Sequence, residues 1–201
     1  VGDETRGWGQ PWLPAGDLPR RDSAYFGSTN RGKQSITVDF TTPQGRELLH
    51  ELVKQCDVFV ENYKFGTLAR YGLGWDDLKA INPRLVYCSV TGFGQTGPYR
   101  HKPGYDFVFQ AMSGLMSVIG ERDDLPGGGP QKVGIAVADI TTGMYASIAI
   151  CAAIAHRAVT GQGQWIDVSL LDSCVAFLAN QAMNYFATGE SPTPIGNAHP
   201  N

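Results

Sequence analysis

Asp57-Val58-Phe59-Val60-Glu61, the stretch Trp75 to Ile81, and Leu85-Val86-Tyr87-Cys88-Ser89-Val90 decide the fold class. The first and third runs are short and rich in β-branched and aromatic residues, which predicts strands. The segment between them predicts a helix at 75–81, stopped by Pro83, which cannot continue a helix interior. A strand, a helix and a second strand in this order predict a parallel α/β sheet, whose faces must be covered by helices.

Working outward, Ser35-Ile36-Thr37-Val38-Asp39-Phe40 alternates polar and apolar residues and predicts a half-buried strand. A helix is expected over 46–54, with Leu48, Leu49, Leu52 and Val53 on one face, and another around 66–71. After Val90 the pattern loosens into a loop over 92–104, followed by a predicted helix over 105–116. A glycine-rich loop then spans 120–130 and includes Gly127-Gly128-Gly129. Ile140, Met144, Ile148 and Cys151 recur at helical spacing and predict a buried helix over 140–159 packed on the sheet. A turn at 160–163, a strand at 164–168 and a helix over 170–188 complete the pattern.

Asp139 stands at the junction of the apolar run Val133 to Ala138 and that long helix. Two roles are open to it. At the helix N-cap its oxygens would accept free amides, and the positive end of the helix dipole would favour its ionised form. The same ionised carboxylate could instead attack a substrate.

The chain has 201 residues, of which 42% are hydrophobic, enough to bury a real core. A net charge of -3 provides no general attraction to nucleic acid or to an anionic membrane, so neither is an expected partner. Cys56, Cys88, Cys151 and Cys174 form no C-x-x-C pair, and Cys88 and Cys151 lie in apolar segments where buried thiols are usual. Reduced cysteines predict a cytoplasmic protein, or a mitochondrial or peroxisomal one in a eukaryote. Neither a signal-peptide core nor an 18-residue apolar span is read from the sequence.

Gly92-Phe93-Gly94-Gln95-Thr96-Gly97 matches the dinucleotide fingerprint G-x-G-x-x-G and follows a strand, but Pro98 and a further loop stand where the pyrophosphate-binding helix should begin. These glycines therefore predict close backbone approach, not a nicotinamide or flavin site. Asn62-Tyr63-Lys64 directly follows a strand, the end of a parallel strand where α/β sheets bind ligands. Asn62, Lys64 and Arg70 could hold a phosphate and Tyr63 could stack on a base, although a solvated loop would carry the same residues. The four histidines show no metal-ligand spacing, and no metal is expected.

Asn30 to Ser35, Val58 to Tyr63, Thr91 to Pro98, Gly104-Tyr105-Asp106, Ala138-Asp139-Ile140 and Thr160 to Gln164, in this order along the chain, resemble the class III CoA-transferase family of CaiB/BaiF type. The branch it looks most like moves CoA between dicarboxylic or short acyl acids. The resemblance implies a Rossmann-like parallel sheet in a large domain, and a full-length form that is an interlocked homodimer with a second, smaller domain. It implies that Asp139 attacks an acyl-CoA donor and then carries CoA as an aspartyl thioester until a free carboxylic acid accepts it. It also implies CoA contacts at Val38, Asp39, Phe40, Thr41, Asn62, Tyr63, Lys64, Arg70, Lys102 and Tyr105, and an acyl pocket lined by Trp8. Acyl-CoA enters as a substrate, and no permanently bound cofactor is implied. Amides of Gly127 to Gly129, or of a loop outside this sequence, are expected to stabilise the oxyanions.

By the same resemblance, 1–189 is a partial large domain lacking its first strand and helix, and 190–201 begins the linker to the small domain. Alone, this piece is expected to expose apolar surface and to be inactive. Two alternatives stand beside transfer. An α-methylacyl-CoA racemase would share the fold, but its relatives carry His where this chain has Tyr105, and a phenol exchanges protons poorly at neutral pH. A non-catalytic CoA-binding piece is the other.

Overall fold

The computed structural model describes residues 2–14, 16 and 21–199. Contacts divide the chain into two units, Val1–Phe40 and Thr41–Asn201.

In the amino-terminal unit a helical turn at Glu4–Gly7 precedes helix α1 (Ala24–Thr29). Ser23 joins the two. Its hydroxyl donates to the Thr5 carbonyl at 2.6 Å and accepts the Phe26 amide at 3.0 Å, capping α1. Arg6 pairs with Asp22 at 2.6 Å and lies over the Phe26 ring, and the Trp8 and Tyr25 rings meet at 5.2 Å. Residues 33–39 form no strand, which corrects the strand predicted over 35–40. Alternation specifies a face, but a strand exists only where a ladder partner lies beside it.

The carboxyl-terminal unit contains the sheet. Its strands are β1 (Val58–Glu61), β2 (Val86–Thr91) and β3 (Trp165–Ser169), parallel and in the order β1-β2-β3. The predicted parallel α/β architecture is thus present. Helix α2 (Pro43–Val53) starts at a Thr42 cap, and α3 (Trp75–Ile81) spans the residues expected of it. The helix expected over 66–71 is a 3₁₀ turn at Leu68–Tyr71, ended by Gly72 in a left-handed conformation.

Helix α4 (Asp106–Met112) is shorter than the predicted 105–116, because the chain turns at Gly114 (φ 87°) and resumes as a 3₁₀ turn at Leu115–Val118. Helix α5 (Val137–Thr160) ends at Gly161 in a left-handed C-cap. The helix predicted over 170–188 is two helices, α6 (Leu170–Phe177) and α7 (Asn180–Thr188), separated at Ala179 (φ 48°).

One face of the sheet, carrying Val86, Cys88 and Ile166, packs on Ala146 and Ala153 of α5. The alanines let the helix axis approach the strands closely. This reverses the expected orientation of α5: Ile140, Met144 and Ile148 are 49%, 60% and 64% exposed, and Cys151 is exposed as well. The buried face consists instead of Val137, Ala138, Thr141, Thr142, Ala146, Ala153 and Arg157. With apolar residues on all sides, α5 also contains an 18-residue window of mean hydropathy 1.6, contrary to the absence of such a span read above. Its packing on β2 and β3 is that of a helix in an α/β core.

Arg157 locks the far end of α5 to the sheet, donating to the carbonyls of Asp57 and Arg84 and pairing with the Asp57 carboxylate at 2.7 Å. On the opposite sheet face Phe59 stacks on Tyr87 at 5.1 Å, and the Trp165 indole donates to Ser89 at 3.0 Å. Burial between these layers pushes the Cys88 thiol up to about 11, so it is an inert core group.

Candidate active site

A cavity of about 500 Å³ opens at the carboxyl ends of β1 and β2, the end where parallel sheets bind ligands. Four pieces of chain build its wall: the loop Asn62 to Phe65, the end of β2 with Gly92, the loop Arg100 to Tyr105, and the first turns of α5, with Leu170 closing one side.

Aromatic packing fixes the two loops. Phe65 meets the His101 ring edge-on at 4.9 Å and carries the Arg100 guanidinium over its face at 4.9 Å, so the 62–65 loop is clasped by the 100–105 loop. The Lys102 ammonium lies 4.0 Å from the Tyr99 ring, Tyr99 packs on Phe93, and Phe93 packs on the fully buried Phe109. Phe109 requires glycine on both sides of it: a Cβ at Gly92 would fall 2.6 Å from its ring, and one at Gly104 2.3 Å. Within the Gly92 to Gly97 run, Gly92 serves close approach, whereas Gly94 and Gly97 take positive φ without crowding, and no helix begins between this run and Asp106 to receive a pyrophosphate.

Asp139 is the one acidic residue in the cavity wall among the described residues, and Lys64, Arg100, His101 and Lys102 line the same cavity. It is not the N-cap. Helix α5 begins three residues earlier than the sequence pattern suggests, with Ala136 at the N-cap and Asp139 in the first turn. The capping bond comes from another helix: Asp106 Oδ1 accepts the Ala138 amide at 2.7 Å. Asp139 is therefore relieved of capping, and its carboxylate accepts no hydrogen bond from the described residues. Removal from water, and then the negative charge of Asp106, raise its pKa above the ordinary aspartate value. This opposes the expected stabilisation of the ionised form by the helix dipole, and it makes the carboxylate more basic.

The expected contact residues are distributed unevenly. Asn62, Tyr63, Lys64, Lys102, Tyr105 and Asp139 line one cavity. Tyr105, 77% exposed, stands at its edge as the residue before α4. Arg70 lies outside the wall, exposed in the 3₁₀ turn at 68–71. Thr41 sits before α2, where its carbonyl accepts Arg46 at 2.8 Å. Trp8, Val38, Asp39 and Phe40 belong to the amino-terminal unit. Gly127 to Gly129 do not line the cavity; Gln131 bonds the Gly127 carbonyl at 2.9 Å within that loop.

Several wall residues escape the sequence reading. Arg100 and His101 were legible as neighbours of Lys102 in a run of three basic groups. Thr142 and Gly143 follow Asp139 at helical spacing and so share its face. Among the described residues no cluster of His, Cys, Asp and Glu could hold a metal ion.

The CoA-transferase family III model matches residues 1–201, and the chain belongs to that family. It is 52% identical over 200 residues to the succinate–glutarate CoA-transferase of Agrobacterium fabrum, covering all of this chain and 49% of the relative. The succinyl-CoA:glutarate CoA-transferase of Homo sapiens is 43% identical over 199 residues, covering 99% and 43%. The crystal structure of a CAIB/BAIF family protein from Brucella suis superposes with a TM-score of 0.92 at 55% identity, covering all of this chain and 51% of that one. The chain spans about half the length of the curated relatives it matches.

Proposed function

We propose that the protein containing this chain transfers CoA from an acyl-CoA donor to a free carboxylic acid, with Asp139 as the covalent carrier. The observation that supports this most is a carboxylate with no hydrogen-bond partner among the described residues, raised in pKa, sharing with Lys64, Arg100 and Lys102 a cavity at the carboxyl end of a parallel sheet.

In the first step an Asp139 oxygen attacks the donor thioester carbonyl, forming a mixed anhydride and expelling the CoA thiolate. The thiolate attacks the aspartyl carbonyl of the anhydride, releasing the donor acid as its carboxylate and leaving an aspartyl-CoA thioester. The acceptor carboxylate then attacks this thioester to give a second anhydride and free thiolate. Attack of the thiolate on the acceptor carbonyl yields the new acyl-CoA and restores Asp139. Every species that enters is anionic, and Lys64, Arg100 and Lys102 offset that charge. A relative 52% identical is named for succinate and glutarate, so dicarboxylic acids and their CoA esters are the substrate class we assign.

CoA exceeds what the cavity encloses, so its nucleotide end runs along the surface. Asn62, Tyr63, Lys64, Arg70 and the stretch 38–41 hold it in this reading, with Lys102 and Tyr105 nearer the thioester and Trp8 beside the acyl chain. The whole protein is an interlocked homodimer in the cytoplasm or an organelle matrix. A racemase would need a second proton-exchanging group beside Asp139. The histidine in the wall is unsuited to that role, because His101 Nε2 accepts a hydrogen bond from Arg100 Nε at 3.2 Å. Incubating the full-length protein with succinyl-CoA and hydroxylamine should leave a hydroxamate on Asp139. Transfer at the parent rate by an Asp139→Ala variant would end this reading.

A further inference from the structure

Helix α5 carries no cap of its own. Its N-cap residue is alanine, and its second residue, Ala138, has an amide that no preceding residue can satisfy within the helix. The Asp106 carboxylate, from a helix 32 positions away in sequence, takes that amide at 2.7 Å. Its other oxygen accepts Gln110 Nε2 at 2.6 Å. Gln110 is wholly buried, and it also grips the chain leading into α5: Oε1 accepts the Val133 amide at 2.8 Å, and Nε2 reaches the Ile135 carbonyl at 3.4 Å. Behind this pair, Phe109, Ala138 and Cys174 pack in one buried cluster that joins α4, α5 and α6.

We propose that Asp106 is a positioning residue for transfer, its carboxylate acting as a remote cap that fixes the first turn of α5 and so aims Asp139 into the cavity. The role rests on the reading of Asp139 as nucleophile. Asp106 does not line the cavity. It acts through the Ala138 amide, through Gln110, and through its charge. A fixed aim matters because misplacing a reacting group by about 1 Å costs on the order of 100-fold in rate.

The charge makes the role separable from a purely structural one. Asp106 raises the pKa of Asp139, an effect second only to burial. The other ionisable groups around Asp139 are Tyr63, Lys64, Arg100, His101, Lys102 and Tyr105 in the cavity wall and Cys174 on α6, and all of these are left intact by changes at position 106.

The test uses the full-length protein, the variants Asp106→Asn, Asp106→Ala and Asp139→Ala, and the pH dependence of hydroxamate formation from succinyl-CoA and hydroxylamine, with thermal melting alongside. Asparagine keeps an acceptor for Ala138 but removes the charge and sets its amide nitrogen against Gln110 Nε2, so melting should fall less than in the alanine variant while the acid limb of the profile moves to lower pH. Alanine removes both, so melting should fall and the plateau rate should drop on the order of 10-fold or more. The proposal is overturned if Asp139→Ala is inactive while Asp106→Asn keeps the parent's acid limb, or while Asp106→Ala keeps its plateau rate. If Asp139→Ala retains the parent rate, the nucleophile reading falls and the positioning role falls with it.

Discussion

Asp139 and Asp167 are two aspartates still open to water near the same end of one sheet, and the fold treats them differently. Burial raises the pKa of both. Asp167, in β3, lies in register with Ser89 and, through it, with Glu61. Its Oδ2 accepts the Gln95 amide at 2.9 Å, and that bond pulls its pKa back down in part. Asp139 receives no such bond from the described residues, and the Ala138 amide in its own helix turn is taken by Asp106. A carboxylate held by a donor is structural; one that is desolvated, has no donor and faces a cavity is available for chemistry.

Replacement of each should divide activity sharply. Asp139→Ala should lower the rate of CoA transfer by about 10⁴-fold or more, the scale of losing a covalent nucleophile. Asp167→Asn should leave the rate within about threefold, as for changes outside a reacting centre. Steady-state assays of the full-length protein with succinyl-CoA and glutarate measure both. Equal losses would erase the distinction drawn between the two groups.

The surroundings of Asp139 can be broken without touching it. Phe109 is fully buried, seated between Gly92 and Gly104, and packs with Ala138. Phe109→Ala should destabilise the protein by about 3–5 kcal/mol in denaturant unfolding, because it leaves a cavity between the two loops and the start of α5. Asp167 lies in β3, outside the buried cluster of Phe109, Ala138 and Cys174, so the variant should impair the setting of Asp139 more than that of the strand.

Binding offers a finer contrast. Lys102→Ala should weaken CoA binding by roughly 1.5–3 kcal/mol in titration calorimetry if the ammonium bonds a charged group of CoA. Arg70→Ala should fall at the lower end of that range, since Arg70 is exposed and outside the cavity wall. No loss from Arg70→Ala would move the nucleotide end of CoA elsewhere, and none from Lys102→Ala would move its thioester end.

The residues that made this site legible are those whose role is local. β2 reads as a buried strand because Val86, Tyr87 and Cys88 are apolar without interruption, and they are in fact buried. Asn62 to Lys64 reads as a ligand loop because a strand ends there. The orientation of α5 was illegible for a physical reason: the helix is apolar all round, so spacing cannot tell the large aliphatic face from the small one, and close packing on a sheet selects alanine and threonine. The break at Ala179 follows no glycine or proline signal. Asp106 could not be recognised as the cap of α5 because its bond spans 32 residues and depends on where α4 packs.

The smallest effect expected is on stability, and its sign separates the two aspartates once more. A carboxyl whose folded pKa lies above its unfolded value binds its proton more tightly in the native state, so its contribution to stability is fully present below about pH 3.8 and is lost as pH rises through the folded value. Replacing such a group by neutral asparagine removes that loss. Asp139→Asn should therefore be more stable than the parent at neutral pH, with the difference vanishing towards acid. Asp167→Asn gains less, because the charge it removes was bonding the Gln95 amide and an amide oxygen bonds it more weakly. Chemical denaturation of both variants and the parent, at pH 7 and again near pH 4, measures the difference. A neutral-pH gain at Asp167 that equals or exceeds the gain at Asp139 would show that the Gln95 bond does not distinguish them, and that the availability of Asp139 must come from its place in the cavity alone.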